Sequence, residues 1–175
     1  MRRIFWSQMV SVDGLSEGPE GELDWHAIDE DFASYVTHML GKIDSILLGR
    51  MTYAAFAHYW PNANSSEATR MNEIEKLVVS TTLEKVEWQG SRLIKIEDIV
   101  GLKHGPGRDI AIFGSSTLAS SLLELGLVDE LRIFTVPVIL GAGKPMIRPI
   151  GRRVSLRHVD SRVLSSGVVM STFRT

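Results

Sequence analysis

The chain has 175 residues, 44% of them hydrophobic and 23% charged, with a formal net charge of -2. That is the composition of a folded domain with a substantial core; it excludes a disordered chain and offers nucleic acid no global basic field. There is no cysteine, which removes disulfides, thiolate zinc sites and a cysteine nucleophile.

The segment Met1–Ser11 is basic and then apolar, but polar residues interrupt it too soon for a signal-peptide core. No apolar run approaches the ~20 residues needed to span a bilayer. The expectation is a cytoplasmic protein with no membrane and no nucleic-acid partner. No repeat, low-complexity tract or linker divides the chain, so residues 1–175 read as one domain.

In chain order, Ile4–Val12 alternates as a strand and ends at the turn pair Asp13-Gly14. A loop rich in Gly, Pro and Glu covers Ser16–Glu22. Asp29 is placed to cap a helix running to about Leu40, with Phe32, Tyr35, Val36 and Met39 on one face and Gly41 as its stop. Ile43–Leu48 reads as a short strand, followed by Gly49-Arg50 and a helical segment to about Tyr59. Leu77-Val78-Val79 and Ile110–Phe113 have the continuous apolar character of strands buried on both faces. A helix over Ser116–Leu125 precedes a long strand, Leu131–Ile139. RPIGRR (Arg148–Arg153) reads as a solvated loop, and Val154–Leu164 with Val168–Phe173 as a closing antiparallel pair. Strands alternating with helices predict an α/β fold: a three-layer α/β/α architecture with a mostly parallel central sheet and an antiparallel C-terminal hairpin.

In such folds ligands bind beyond the carboxyl ends of the strands. Three of those ends carry small, polar or cationic residues: Gly49-Arg50-Met51-Thr52, Ser80-Thr81-Thr82 and Gly114-Ser115-Ser116-Thr117. Each has a plain structural reading, as a helix cap, a turn cap or, for Arg50, a surface ion pair. Together they suggest one elongated anionic ligand along the sheet edge, since the first N–H groups of a helix are unpaired and carry partial positive charge.

Five segments, SVDG (Ser11–Gly14), LLGRMTY (Leu47–Tyr53), VVSTT (Val78–Thr82), IFGSSTLASSLLELGLVDEL (Ile112–Leu131) and PVILGAG (Pro137–Gly143), occur in an order that resembles the dihydrofolate-reductase-like superfamily. Within it, the chain looks most like stand-alone relatives of the reductase domain from bifunctional riboflavin-biosynthesis deaminase-reductases. The resemblance implies an NADPH-dependent reductase that transfers hydride to a pyrimidine- or pterin-like substrate, most like 5-amino-6-(5-phosphoribosylamino)uracil reductase. Carried across, it puts Gly49, Arg50 and Thr52 on the cofactor phosphates and Ser80, Thr81 and Thr82 near the adenosine ribose and its 2′-phosphate. Phe113, Gly114, Ser115, Ser116, Thr117 and Leu118 would form the pyrophosphate cradle. Arginine presents a donor fork suited to phosphate oxygens, and Ser/Thr hydroxyls add neutral donors.

The same resemblance implies that Asp31, on the first helix past Trp25, is the catalytic carboxylate that binds substrate N–H groups and helps protonation, with Asp29 and Glu30 as rivals. All three equally read as first-turn acids complementing the helix dipole. Trp25, Asp13 and Phe32 are the further substrate-side candidates, with Met9 lining the pocket or the core; Asp13 also shapes its turn. His26 reads as incidental, and no metal is required. A homodimer through the closing hairpin region is implied too.

Two departures stand out. The family turn usually carries paired glycines joined by a cis peptide, whereas here the pair is Gly114-Ser115; and Ala119 stands where folate reductases often have a tyrosine, implying a roomier nicotinamide pocket. The chain lacks the ribose-phosphate loop of riboflavin reductases. Ile74 or Glu75 stands where folate reductases hold the glutamate tail with arginine. The alternatives are a dihydrofolate reductase, a non-catalytic NADPH-binding protein, or a scaffold without nucleotide affinity.

Overall fold

The structure is a computed structural model that describes residues 1–175. Ten strands and five helices follow in order: β1 Ile4–Ser11, β2 Leu15–Glu17, α1 Glu30–Leu40, β3 Ile43–Gly49, α2 Arg50–Tyr59, α3 Ser66–Glu73, β4 Glu75–Val79, β5 Ser91–Ile94, α4 Asp98–His104, β6 Asp109–Phe113, α5 Ser116–Glu124, β7 Glu130–Val136, β8 Lys144–Pro145, β9 Arg157–Val163 and β10 Val169–Arg174. Eight strands form one sheet in the order β5-β4-β3-β6-β1-β7-β10-β9, while β2 and β8 pair separately. The first six in that order run parallel, and β10 and β9 add antiparallel pairs. The expected α/β class, mostly parallel sheet and C-terminal hairpin are all present.

The sheet is covered on both faces because its inner strands are apolar on both. Trp6, Leu47, Leu77, Ile110 and Ile112 pack against Ile99 of α4 and Leu118, Leu122 and Leu123 of α5. Phe5, Ile46, Leu48, Val78 and Ala111 face the other way, against Met39 and Leu40 of α1, Tyr53 of α2 and Met71 of α3. A third cluster sits at one end of that second face: Met9, Phe134, Val136, Leu164, Val168 and Met170, with Trp25, Phe32 and Tyr35 half-buried against it. Full burial of one large apolar side chain contributes roughly 1.5–3 kcal/mol. β1 buries Ile4, Phe5 and Trp6 almost completely, which makes this central strand the main anchor of the sheet.

Several boundaries differ from the sequence reading for identifiable reasons. β7 stops at Val136 rather than Ile139, because Pro137 has no N–H for the ladder and Val138 N–H turns back to Val136 O at 2.7 Å. Gly41 closes α1 without left-handed backbone (φ -67°), its N–H donating to Thr37 O at 3.2 Å. Arg152, read as part of a solvated loop, instead donates to Leu123 O at 2.6 Å and Glu124 O at 2.9 Å, capping the C-terminus of α5. The short elements β2, α3, β5, α4 and β8 were not expected. α3 is only eight residues long and mostly polar, with Ala68 and Met71 alone buried, so few apolar residues mark it in the sequence.

Candidate functional site

The carboxyl ends of β3, β6 and β1 lie side by side in the middle of the sheet, with β4 on the flank of β3. Two helices start at that edge, α2 after Gly49 and α5 after Ser115. Neither has a side-chain N-cap, and the short α4 also lacks one. By contrast, α1 is capped by Asp29, which accepts from Phe32 N at 2.8 Å, and α3 by Ser65, which accepts from Ala68 N at 3.1 Å. The two helices facing the edge thus keep first-turn amides for another acceptor. Residues 49–52, 80–82 and 113–118 contribute one cation, Arg50, and no acid.

The turn at Gly114-Ser115 brings these pieces together. Every peptide bond is trans, so the cis bond of the family turn is absent; the reversal is made instead by two successive residues with positive φ, Gly114 at 55° and Ser115 at 52°. Glycine tolerates that conformation and a residue with a Cβ does not do so readily. Ser115 is held there by its hydroxyl: Gly49 N–H donates to Ser115 Oγ at 2.8 Å, and Ser115 Oγ donates to Thr52 Oγ1 at 2.9 Å. A Cβ on Gly49 would stand 3.3 Å from Ser115 Oγ, which explains glycine at that strand end. Ser116 meets Ser16 hydroxyl to hydroxyl at 3.1 Å. Gly49, Arg50, Thr52, Phe113, Gly114, Ser115, Ser116 and Thr117 therefore share one edge. Leu118 is buried against the core, so any contribution it makes is through its backbone.

Ser80 stands at the neighbouring strand end, where its Oγ accepts from Thr82 N at 3.1 Å and Leu83 N at 3.0 Å, with Thr81 and Thr82 exposed. Its hydroxyl is engaged in the turn. Ala119 lies fully buried in the core, not on a pocket wall, so it does not enlarge the site.

Two residues on this edge escaped the sequence reading. Gln8 lies on the same face of β1 as Trp6 and Val10, almost wholly buried. Its Nε2 donates to Met9 O at 2.9 Å, while its Oε1 has no partner and lies 4.0 Å from where a Cβ on Gly114 would be. Trp6 Nε1 donates to Gly114 O at 3.0 Å. Ser16, equally buried, reaches the start of α5 through Ser116. A polar residue in an otherwise apolar alternation is the sequence signal that marks Gln8. The free helix amides, the close approach allowed at Gly114 and the lone cation fit the phosphates of a dinucleotide, whereas the unpaired Gln8 Oε1 calls for a donor.

The substrate-side candidates occupy the third apolar cluster. Phe32 meets Phe134 edge-on at 5.0 Å, Met9 is buried beside them, and Trp25 leans on the same cluster with Nε1 donating to Glu22 O at 3.0 Å. His26 stacks edge-on against Trp25 at 4.6 Å, and burial lowers its pKa, keeping it neutral. Asp31 is exposed, and its Oδ2 accepts from both Oγ and N of Ser165 in the β9–β10 turn, the amide at 2.9 Å. Those bonds, the Ser165 hydroxyl first, hold its pKa below the usual carboxylate value. Asp29 binds the same turn through Ser166 N at 2.7 Å, and Glu30 is exposed. Asp13 accepts from Leu140 N at 3.1 Å and Gly141 N at 2.8 Å; with the Ser11 side chain as the largest influence, it is held down at about 2. Asp13 thereby ties β1 to the 137–143 loop.

Residues 2–170 match the family described as the RibD C-terminal domain. The chain belongs to that family. It is also similar to the Bacillus subtilis (strain 168) protein YyaP, itself uncharacterized, at 34% identity over 98% of this chain and 94% of that protein. Among solved structures, the Thermotoga maritima diaminohydroxyphosphoribosylaminopyrimidine deaminase/5-amino-6-(5-phosphoribosylamino)uracil reductase superposes with a TM-score of 0.71 at 14% identity, covering 99% of this chain and 56% of that one. The Enterococcus faecalis dihydrofolate reductase superposes with a TM-score of 0.68 at 15% identity, covering 98% and 95%. The family fold is thus dihydrofolate-reductase-like. No helix is long and apolar enough to cross a membrane.

Proposed function

We propose that the protein is an NADPH-dependent reductase of a small heterocyclic substrate of pyrimidine or pterin type. The observation that carries the reading is the meeting of the uncapped starts of α2 and α5, where Ser115 binds Gly49 N–H and Thr52 and where segments 49–52 and 113–118 bring Arg50 and no acid. Family membership supports it, and the Enterococcus relative of the same fold is complexed with NADP(H). In this reading Arg50 and Thr52 hold phosphate oxygens, the amides after Gly114 cradle the pyrophosphate, and Ser80–Thr82 flank the adenosine 2′-phosphate. The bound nicotinamide supplies hydride. Met9, Trp25 and Phe32 form the apolar side of the substrate pocket. Asp31, its Oδ1 left free by Ser165, accepts a hydrogen bond from a substrate amino or ring N–H group. Asp13 keeps the 137–143 loop in place beside the pocket. A second copy of the chain covers the exposed edge at β9.

Titration with NADPH and NADH, read by tryptophan quenching or thermal shift, tests the cofactor assignment. At a hundredfold excess over Kd, NADPH is expected to stabilise the fold by ~2.7 kcal/mol. Arg50→Ala should weaken NADPH binding by about tenfold, the loss of one charge-assisted contact. If neither nucleotide binds the wild-type protein, the strand-end residues serve only as turns and caps, and the reductase reading falls.

A further inference from the structure

We propose that Ser115 is a positioning residue that fixes the Thr52 hydroxyl as a hydrogen-bond donor to a cofactor phosphate; this rests on the dinucleotide reading above. Ser115 occupies the N-cap position of α5 yet makes no capping bond to its own helix. Its hydroxyl reaches across to the neighbouring strand end instead, accepting from Gly49 N–H and donating to Thr52 Oγ1. A hydroxyl has one proton, and that of Ser115 goes to Thr52. Thr52 Oγ1 is thereby an acceptor on one side and retains its own proton, which finds no acceptor within the protein.

A threonine inside a helix often turns that proton back onto a carbonyl one turn earlier. Thr52, the third residue of α2, does not, and its side chain is only half-buried. The bonds therefore run in one direction, Gly49 N–H to Ser115 and Ser115 O–H to Thr52, and leave the Thr52 O–H for an acceptor outside this series. Each bond in such a series polarises the next, and a low local dielectric strengthens the effect. An anion is the acceptor that completes it. The series also accounts for serine at a left-handed position where glycine would be unstrained, because glycine has no hydroxyl to pass on.

The test is NADPH affinity across Ser115→Ala, Ser115→Gly, Thr52→Val, Thr52→Ser and the double variant Ser115→Gly/Thr52→Val, with thermal midpoints measured alongside. Ser115→Gly relaxes the backbone while removing the hydroxyl, so it carries the test if Ser115→Ala fails to fold. Each of Ser115→Ala, Ser115→Gly and Thr52→Val is expected to weaken NADPH by about tenfold, one charge-assisted hydrogen bond. Thr52→Ser should restore affinity, and the double variant should bind no more weakly than Thr52→Val alone. Wild-type affinity in Ser115→Gly, or losses that multiply in the double variant, would overturn the relay while leaving the cofactor site intact. Absence of NADPH binding by the wild-type protein removes the cofactor reading and the relay with it.

Discussion

A carboxylate that accepts hydrogen bonds from its own protein is stabilised as an anion, and this governs what Asp31 can do. Ser165 engages Oδ2 and lowers the pKa, so Asp31 remains ionised throughout the neutral range and is poorly suited to give up a proton. Its proposed role is therefore to bind a substrate N–H through Oδ1. Asp31→Asn should lower kcat/KM by about tenfold, the scale of one hydrogen bond to a charged group. The wild-type profile should stay flat from pH 5 to 8, because the titration lies below that window. A wild-type rate that falls as pH rises through it, with the fall abolished in Asp31→Asn, would return Asp31 to the role of acid. The resemblance led to the residue, but its chemistry followed only from Ser165, which is 134 positions away in sequence.

At the scale of elements, the junction of α3 and β4 shows what one-dimensional patterning hides. Lys76 is fully buried in β4, its Nζ donating to Met71 O at 3.2 Å and Asn72 O at 2.8 Å at the end of α3 and lying 4.4 Å from the Trp88 ring. The ammonium complements the carbonyl end of the helix, and burial lowers its pKa from 10.5 to about 8. Between those values the unfolded chain holds a proton that the folded one has released, so the folded state gains stability as pH rises. The stability of the wild type relative to Lys76→Met should therefore increase by roughly 2–3 kcal/mol between pH 8 and 10.5, measured by urea unfolding at fixed ionic strength. A constant difference would show that Lys76 titrates normally. Local signals made β1, α1 with its Asp29 cap, and the three polar strand ends legible in the sequence. α3 escaped because it is short and mostly polar and leans on contacts at its ends: Ser65 at one, Lys76 at the other, and only two buried residues between. Likewise Gln8 and Ser16 belong to the site through neighbours more than 90 positions away, which no sequence window spans.

For the whole molecule, the open question is the sheet edge. All seven residues of β9 are exposed, Val163 at 70%, and Leu156 and Val169 nearby add apolar surface. A long unpaired edge strand invites another strand, and a second copy of the chain removes that exposure symmetrically. Light scattering after size exclusion should give twice the monomer mass, and Val159→Lys/Val163→Lys should give a monomer with an unchanged thermal profile. A wild-type monomer at tens of micromolar would show that the edge is simply tolerated.

The strand order also dictates when this chain can begin to fold during synthesis. β1 is made first, yet its partners are β6 and β7, so Ile4 waits for Ile110 and Phe5 for Glu130. Until β6 has been made, about two thirds of the way along the polypeptide, this buried strand has no partner, and until β7 has been made it has only one. Contacts this distant slow folding and leave the early segment open to self-association. The nascent chain, more than the finished protein, is therefore where assistance from a chaperone has the most to act on.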